Sequence, residues 1–255
     1  SFEAIGTSWS IDIFEPLSSS EAASDLLTRI QARIESFDRA YSRFRDDALV
    51  SKMANDPGVY ELPMDAAPMF RLYEQLYKIT DGLVTPLIGA LLVEAGYDAH
   101  YSLVPKELHE PPSWEEAMHF KPPNILTLKK SVVLDVGAMG KGYLIDIVSE
   151  MLWQSGVSSF CVDAGGDMLQ RSAASIPLRI GLENPKDVSQ MIGIASLLNK
   201  SICGSAGNRR AWAHFHHIMN PKTQSSPRHI LAAWAVASST LLADAMTTAL
   251  FFVSP

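Results

Sequence analysis

The chain has no uninterrupted run of about 20 apolar residues, so it holds no segment able to cross a bilayer as a single helix. It has only two cysteines, Cys161 and Cys203, each isolated in an apolar stretch and in no metal-like spacing. That pattern reads as two buried thiols, with one disulfide as the alternative. Positive charge is short: 21 Lys and Arg stand against 28 Asp and Glu, a net of −7. An acidic chain is a poor partner for nucleic acid or an acidic membrane, whereas a nucleotide needs only a local cationic spot. The glycine spacing of Asp135–Gly142 is neither a Walker A loop nor a dinucleotide GxGxxG, so neither standard nucleotide fold is supported. No repeat, low-complexity tract or convincing linker divides the 255 residues. The chain therefore reads as one domain, 1–255, long enough to bury a substantial core. Ser1 at the start and Pro255 after a helical pattern read as trimmed ends, so the lack of a signal peptide carries no weight.

What is present is a mixture of both periodicities. Thr7–Phe14 alternates as a strand does. Ser18–Ser20 and Glu21 open a helix whose inward face is Leu26, Leu27, Ile30, Ile34 and Phe37. Ala66–Ile79 predicts a second helix, with Met69, Leu72, Tyr73 and Leu76 inward and Asp81-Gly82 closing it. Residues 98–123 carry five prolines and read as a surface excursion with one short helix at Trp114–Met118. Ile125–Leu128 and Val132–Asp135 predict a hairpin or paired strands, and Lys141–Trp153 a helix ending near Gly156. Phe160–Asp163, Pro177–Leu182, Ile192–Leu198 and Leu231–Ala237 are further strands. Strands and helices do not alternate as βαβ units, so the expected class is α+β with a mainly antiparallel sheet flanked by helices.

Three segments carry chemistry. In Ala243–Leu250, Asp244 precedes Thr247 and Thr248 by three and four residues in an apolar stretch. A helix puts all three oxygens on one face. Burial there is costly for a carboxylate without a cation, and Mg²⁺ is the hard, oxygen-seeking candidate. The alternative is ordinary helix chemistry, with the threonines bonding back to carbonyls and Asp244 acting as a cap. Asp135–Gly142 runs from an extended segment into a helix. Its three glycines permit close backbone approach, and the helix N-terminus with Lys141 favours phosphate. The alternative there is a tight turn with a surface lysine. His216-His217 precede the Asn220-Pro221 turn, and on a strand the two would face opposite ways. Gly165-Gly166 followed by Asp167 forms one more turn signal.

Together and in order, these pieces resemble the ApbE family of flavin transferases, across almost the whole chain. Ile5-Gly6-Thr7 is similar to the family's opening M-G-T, and Thr80-Asp81-Gly82 with Pro86 and Gly89 resembles D-G-x-x-D-P-x-x-G. Leu134–Asp146 resembles L-D-x-G-x-x-x-K-G-x-x-x-D, and Gly165–Asp167 matches G-G-D. Ser205–Gly207 stands where T-S-G is usual, His217–Thr223 resembles H-I-x-D-P-x-T, and Ala243–Leu250 resembles A-D-A-x-x-T-A-L.

The resemblance implies a T-fold-related α+β domain that binds FAD with Mg²⁺, transfers FMN to a threonine of an acceptor flavoprotein and releases AMP. It implies Asp244 and Thr248 as side-chain metal ligands, the Ala138 carbonyl as another, and Thr247 close by. Asp135 and Lys141 would contact FAD. Ile5, Phe44, Leu83, Val84 and Thr85 would line the flavin or adenine pocket, with Ile218 near the cofactor. His217 would move a proton or stabilise phosphate. Relatives are often lipid-anchored outside the bacterial inner membrane, which favours an extracytoplasmic site, with a cytoplasmic one open. Five departures accompany the match: Thr85 for aspartate, Ala48-Leu49 for S-E, Ala206 for serine, Asn220 for aspartate and Gln224 for glycine. The competing expectations are an FAD pyrophosphatase, and a flavin-binding protein without catalysis.

Overall fold

The computed structural model describes residues 1–16 and 19–253. Among them every strand pairing is antiparallel, as the α+β reading requires. The predicted helix start at Ser18 and the chain end at Pro255 lie outside the described residues. The chain divides into two compact units: Ser1–Ser36, Met139–Ala206 and Leu231–Thr247 in the first, and the intervening segments, with the described residues from Thr248 on, in the second.

The first unit is a six-stranded sheet in the spatial order Phe2–Ala4, Thr7–Ile13, Phe160–Ala164, Asp167–Arg171, Ser201–Ala206, Ala232–Ala237. Val162 pairs with Ile11 on one side and Leu169 on the other, so the buried run Phe160–Val162 lies inside the sheet. The helix Gly140–Gln154 packs on this sheet and buries Leu144, Ile145, Val148 and Leu152. Its predicted stop is present: Gly156 adopts φ +86 just past the end. Both cysteines are buried and free. A long hairpin, Leu178–Asn184 with Asp187–Leu197, forms a sheet of its own.

The second unit contains the helix Ala67–Ile79 and the three-stranded sheet Gly58–Glu61, Ile125–Leu128, Met118–Lys121. Met69, Tyr73 and Leu76 are buried as expected; Phe70 is buried too, stacked on Phe120 at 4.9 Å, while Leu72 is half-buried. The short helix is Trp114–Ala117, opened by a Ser113/Glu116 capping box. Met118 already belongs to a strand that the proline-rich surroundings concealed.

Val132–Asp135 is not a strand. Val132, Leu134 and Val136 are buried alternately, but through packing rather than a ladder. Asp135 N donates to the Pro86 carbonyl, and the Val133 carbonyl lies so close to Gly89 that a Cβ there would collide with it. Alternation reports burial of one face; it does not by itself report a partner strand.

No helix among the described residues is long and apolar enough to cross a membrane.

Candidate functional site

In the first unit, two helices close each other's first turns. Gly142 N donates to Asp244 Oδ2 at 2.8 Å, so a side chain of the helix Thr240–Ala249 caps the helix Gly140–Gln154. In return, Thr240 N and Leu241 N each donate to Asp146 at 2.8 Å. The crossing is tight: a Cβ on Gly142 would collide with the Thr240 carbonyl oxygen and lie 2.6 Å from Asp244 Cβ. The K-G of the glycine-rich segment is therefore a packing requirement as well as a turn.

Lys141 is no surface lysine. Its Nζ lies 2.7 Å from Asp167 Oδ2 and donates to the Ala164 carbonyl at 3.0 Å. Asp167, buried, also accepts from Gly204 N at 3.0 Å. Burial pulls the Lys141 ammonium down, but the carboxylates of Asp167 and Asp244 outweigh it and hold the pKa above its ordinary value. Burial, followed by the neighbouring Asp167 charge, drives Asp244 well above the usual carboxylate range, against the opposing pull of Lys141 and the Gly142 N–H. Asp146 is also raised by burial.

The threonines divide their roles. Thr247 Oγ1 donates back to the Asp244 carbonyl at 2.7 Å and meets Ser205 Oγ at 2.9 Å. Thr248, of the second unit, directs its hydroxyl to the Ala138 carbonyl of that unit at 3.5 Å. The helix spacing of Asp244 and Thr248 is the expected i, i+4. Asp244 is mid-helix and caps another helix, not its own. Ile5 sits apart in the turn between the first two strands, with φ +45 followed by Gly6 at +71.

In the second unit, Asp135 and Phe44 meet through Arg43. Arg43 Nε lies 2.5 Å from Asp135 Oδ2, its Nη1 donates to the Tyr97 carbonyl at 2.7 Å, and its guanidinium carbon lies 4.2 Å from the Phe44 ring centroid. Asp135 Oδ1 accepts from Gly137 N at 2.6 Å, which shapes the glycine turn. Phe44 stacks on Tyr101 at 5.4 Å and meets Tyr97 edge-on.

Thr85 caps the 3₁₀ turn Pro86–Ile88 by accepting from Leu87 N at 3.2 Å, while Val84 is buried and Leu83 half-buried. Asn220 Oδ1 accepts from Lys222 N and Thr223 N, an Asx turn that an aspartate would make equally well. Lys222 Nζ reaches Asp81 Oδ2 at 2.6 Å, tying two of the motif loops together.

The adjacent histidines differ in chemistry. His216 Nε2 lies 2.8 Å from the Pro227 carbonyl and its Nδ1 accepts from Ile218 N, so both nitrogens are used. His217 is half-buried, yet its Nδ1 is enclosed without a partner among the described residues. Burial, helped by Arg210 and His216, lowers its pKa to about 4. Ile218 beside it is buried.

Sequence reading missed Asp146, Asp167 and Arg43 as members of this chemistry. Asp146 stood at the end of the quoted glycine-rich motif and Asp167 at the end of G-G-D; Arg43 had no motif signal at all.

These features define a class: an antiparallel α+β protein with a buried carboxylate and a half-buried lysine at a helix crossing, and a histidine whose pKa burial lowers. The profile of the ApbE family matches residues 5–255, and the chain belongs to that family. It is 22% identical over 279 residues to the FAD:protein FMN transferase of Escherichia coli, covering 99% of this chain and 77% of that protein. It is 23% identical over 271 residues to the protein of the same name from Haemophilus influenzae, covering 98% and 78%. The fold is similar to that of the ApbE protein from Thermotoga maritima, with a TM-score of 0.84, 21% identity and coverage of 98% of this chain and 85% of the other. The flavin transferase ApbE of Vibrio cholerae gives 0.80 at 19% identity, covering 98% and 85%.

Proposed function

We propose that this chain is a Mg²⁺-dependent FAD:protein FMN transferase, the activity named for its relatives. The observation that carries the reading is the buried carboxylate of Asp244 at the helix crossing, beside the Lys141–Asp167 pair and the glycine-rich turn. Among the described residues no cluster of three or more His, Cys, Asp or Glu side chains could hold a metal ion. A cation would rest instead on Asp244 with neutral hard oxygens, the hydroxyls of Thr248 and Thr247 and the Ala138 carbonyl, and that donor set fits Mg²⁺. When bound, such an ion neutralises phosphate charge and acts as a Lewis acid.

The remaining work falls to the chain's own groups. Lys141, held charged by Asp167, supplies a fixed cation beside the glycine turn. Asp135, oriented by Arg43 and Gly137 N–H, is the carboxylate that contacts FAD. His217, neutral at pH 7, takes the proton of the acceptor threonine on its imidazole. The threonine oxygen then forms a bond to the FMN phosphorus, the pyrophosphate P–O bond breaks, and AMP leaves with the electron pair. Thr85 and Asn220 each keep an acceptor oxygen where the family pattern has aspartate, so two of the five departures preserve local chemistry.

Incubating the protein with FAD, Mg²⁺ and a threonine-bearing acceptor fragment should give a fluorescent, mass-shifted acceptor and AMP. Free FMN with unmodified acceptor would identify a pyrophosphatase instead, and tight FAD binding with no AMP a silent binder. The proposal includes an extracytoplasmic location, which fractionation of cells expressing the full open reading frame tests.

A further inference from the structure

The segment Gly207–Ile230 departs from the electrostatics of the whole chain. It contains Arg209, Arg210, Lys222 and Arg228 and four histidines, with no aspartate or glutamate. The rest of the chain has seventeen Lys and Arg for twenty-eight Asp and Glu, a net of −11. Within the stretch no carboxylate stands against these cations; Lys222 is paired from outside it, with Asp81, while Arg210 and Arg228 are exposed.

The segment is also rigidly placed. Its short hairpin, Ala211–Trp212 with Phe215–His216, is nailed to the second unit by Trp212, which stacks on Tyr97 at 5.4 Å and donates from Nε1 to the Ala95 carbonyl at 2.7 Å. Ser226 Oγ bridges the backbone of His216, accepting from its N–H at 2.8 Å and donating to its carbonyl at 2.9 Å. This lays residues 226–229 along the hairpin. With the aromatic side chains turned inward, Arg210, His214, Arg228 and His229 are left exposed.

The cations of this surface are not neutralised internally. Arg210 donates to the Tyr97 hydroxyl at 3.1 Å, and Arg228 to the His214 carbonyl at 3.0 Å; both acceptors are uncharged. Among the described residues neither arginine forms an ion pair with a carboxylate. The surface leads directly into His217, whose N–H donates to the Arg210 carbonyl.

We infer that the Arg210/His214/Arg228/His229 face of this hairpin docks an acidic segment of the acceptor protein and steers its threonine toward His217. The choice of a protein partner as occupant rests on the transferase reading; the affinity for acidic peptide does not. Exposed rim charges of this kind act on encounter and affinity through a salt-sensitive field.

The test uses the full chain and, as probe, a fluorescein-labelled peptide of about twelve residues with Asp, Glu and Gly around one Thr, beside its Asn/Gln counterpart. The acidic peptide should bind roughly tenfold more weakly at about 300 mM NaCl than at about 20 mM, and the amide peptide should bind poorly throughout. Arg228→Glu should weaken acidic-peptide binding at least about fivefold and Arg228→Gln less, while Arg228→Lys stays near wild type; FAD affinity should hold within about twofold in all three.

Equal binding of both peptides would overturn the inference. So would Gln and Lys variants that fail alike, or an Arg228→Glu protein of unchanged circular dichroism that loses affinity for FAD rather than for peptide. Charge-dependent peptide binding without any transfer of FMN would sink the transferase reading and leave this one standing.

Discussion

The two compact units handle buried polarity in opposite ways. In the first, nearly every charged or hydroxyl group near Asp244 is committed: Lys141 to Asp167, Asp167 to Gly204 N, Asp146 to two helix N–H groups, Thr247 to Ser205. In the second, Arg43 Nη2 and His217 Nδ1 are enclosed with no partner among the described residues. Buried polar groups are normally satisfied, and each exception calls for a reason. A closed network holds positions, whereas an open valence has room for a partner. Under the proposed function the first unit would place charge and the second would exchange a proton or hydrogen bond with a ligand.

Breaking the charge balance should have the largest effect. Asp244→Asn keeps an oxygen for Gly142 N–H but removes the carboxylate. Metal-dependent turnover should fall at least about 100-fold with melting temperature nearly unchanged, measured by AMP release and thermal denaturation. A drop in stability matching the drop in rate would mean that Asp244 is merely structural.

The open valence is probed by pH. His217 in the folded chain titrates at about 4, against about 6.5 unfolded. Its neutral, proton-accepting form therefore persists down to about pH 5, and the acid limb of kcat/KM should fall near pH 4 rather than 6.5. His217→Gln should abolish that limb and lower the rate roughly 100-fold. The linkage has a definite sign: between pH 6.5 and 4 the unfolded chain binds more protons, so this histidine's contribution to stability is full above 6.5 and is lost as pH falls through that window.

The closed network predicts intolerance to a methyl group. Gly142→Ala forces its Cβ against the Thr240 carbonyl and should cost about 2–3 kcal/mol in denaturant unfolding. The smallest effect is a gain. Gln224 occupies φ +53, a left-handed conformation that disfavours side chains, at the position where the family pattern has glycine. Gln224→Gly should stabilise by about 0.5–1 kcal/mol, visible as a small rise in melting temperature.

The helices were legible because their periodic faces are local: Leu26, Ile30, Ile34 and Phe37 declare a buried stripe without reference to any partner, although Leu27, also read as inward, is exposed at the edge of that stripe. The Asp244/Thr247/Thr248 face was legible for the same reason. The Asp146 cap was not, since its acceptor role is defined by Thr240, 94 residues away. Nor was the Arg43–Asp135 pair, separated by 92 residues in an otherwise unremarked loop. Ser201–Ala206 escaped as a strand because small residues carry weak β propensity. Its pairing with Ala232–Ala237 decides it.

The mutual capping of the two helices also bears on how such a chain diverges. Asp146 and Asp244 each satisfy amides in the other helix, and Gly142 makes room for both Thr240 and Asp244. A substitution at any one of these four positions changes what the other three must supply. The glycine-rich segment and the aspartate–threonine segment, 102 residues apart at their contact, should therefore change together: a lineage that loses either should be found to have remodelled both.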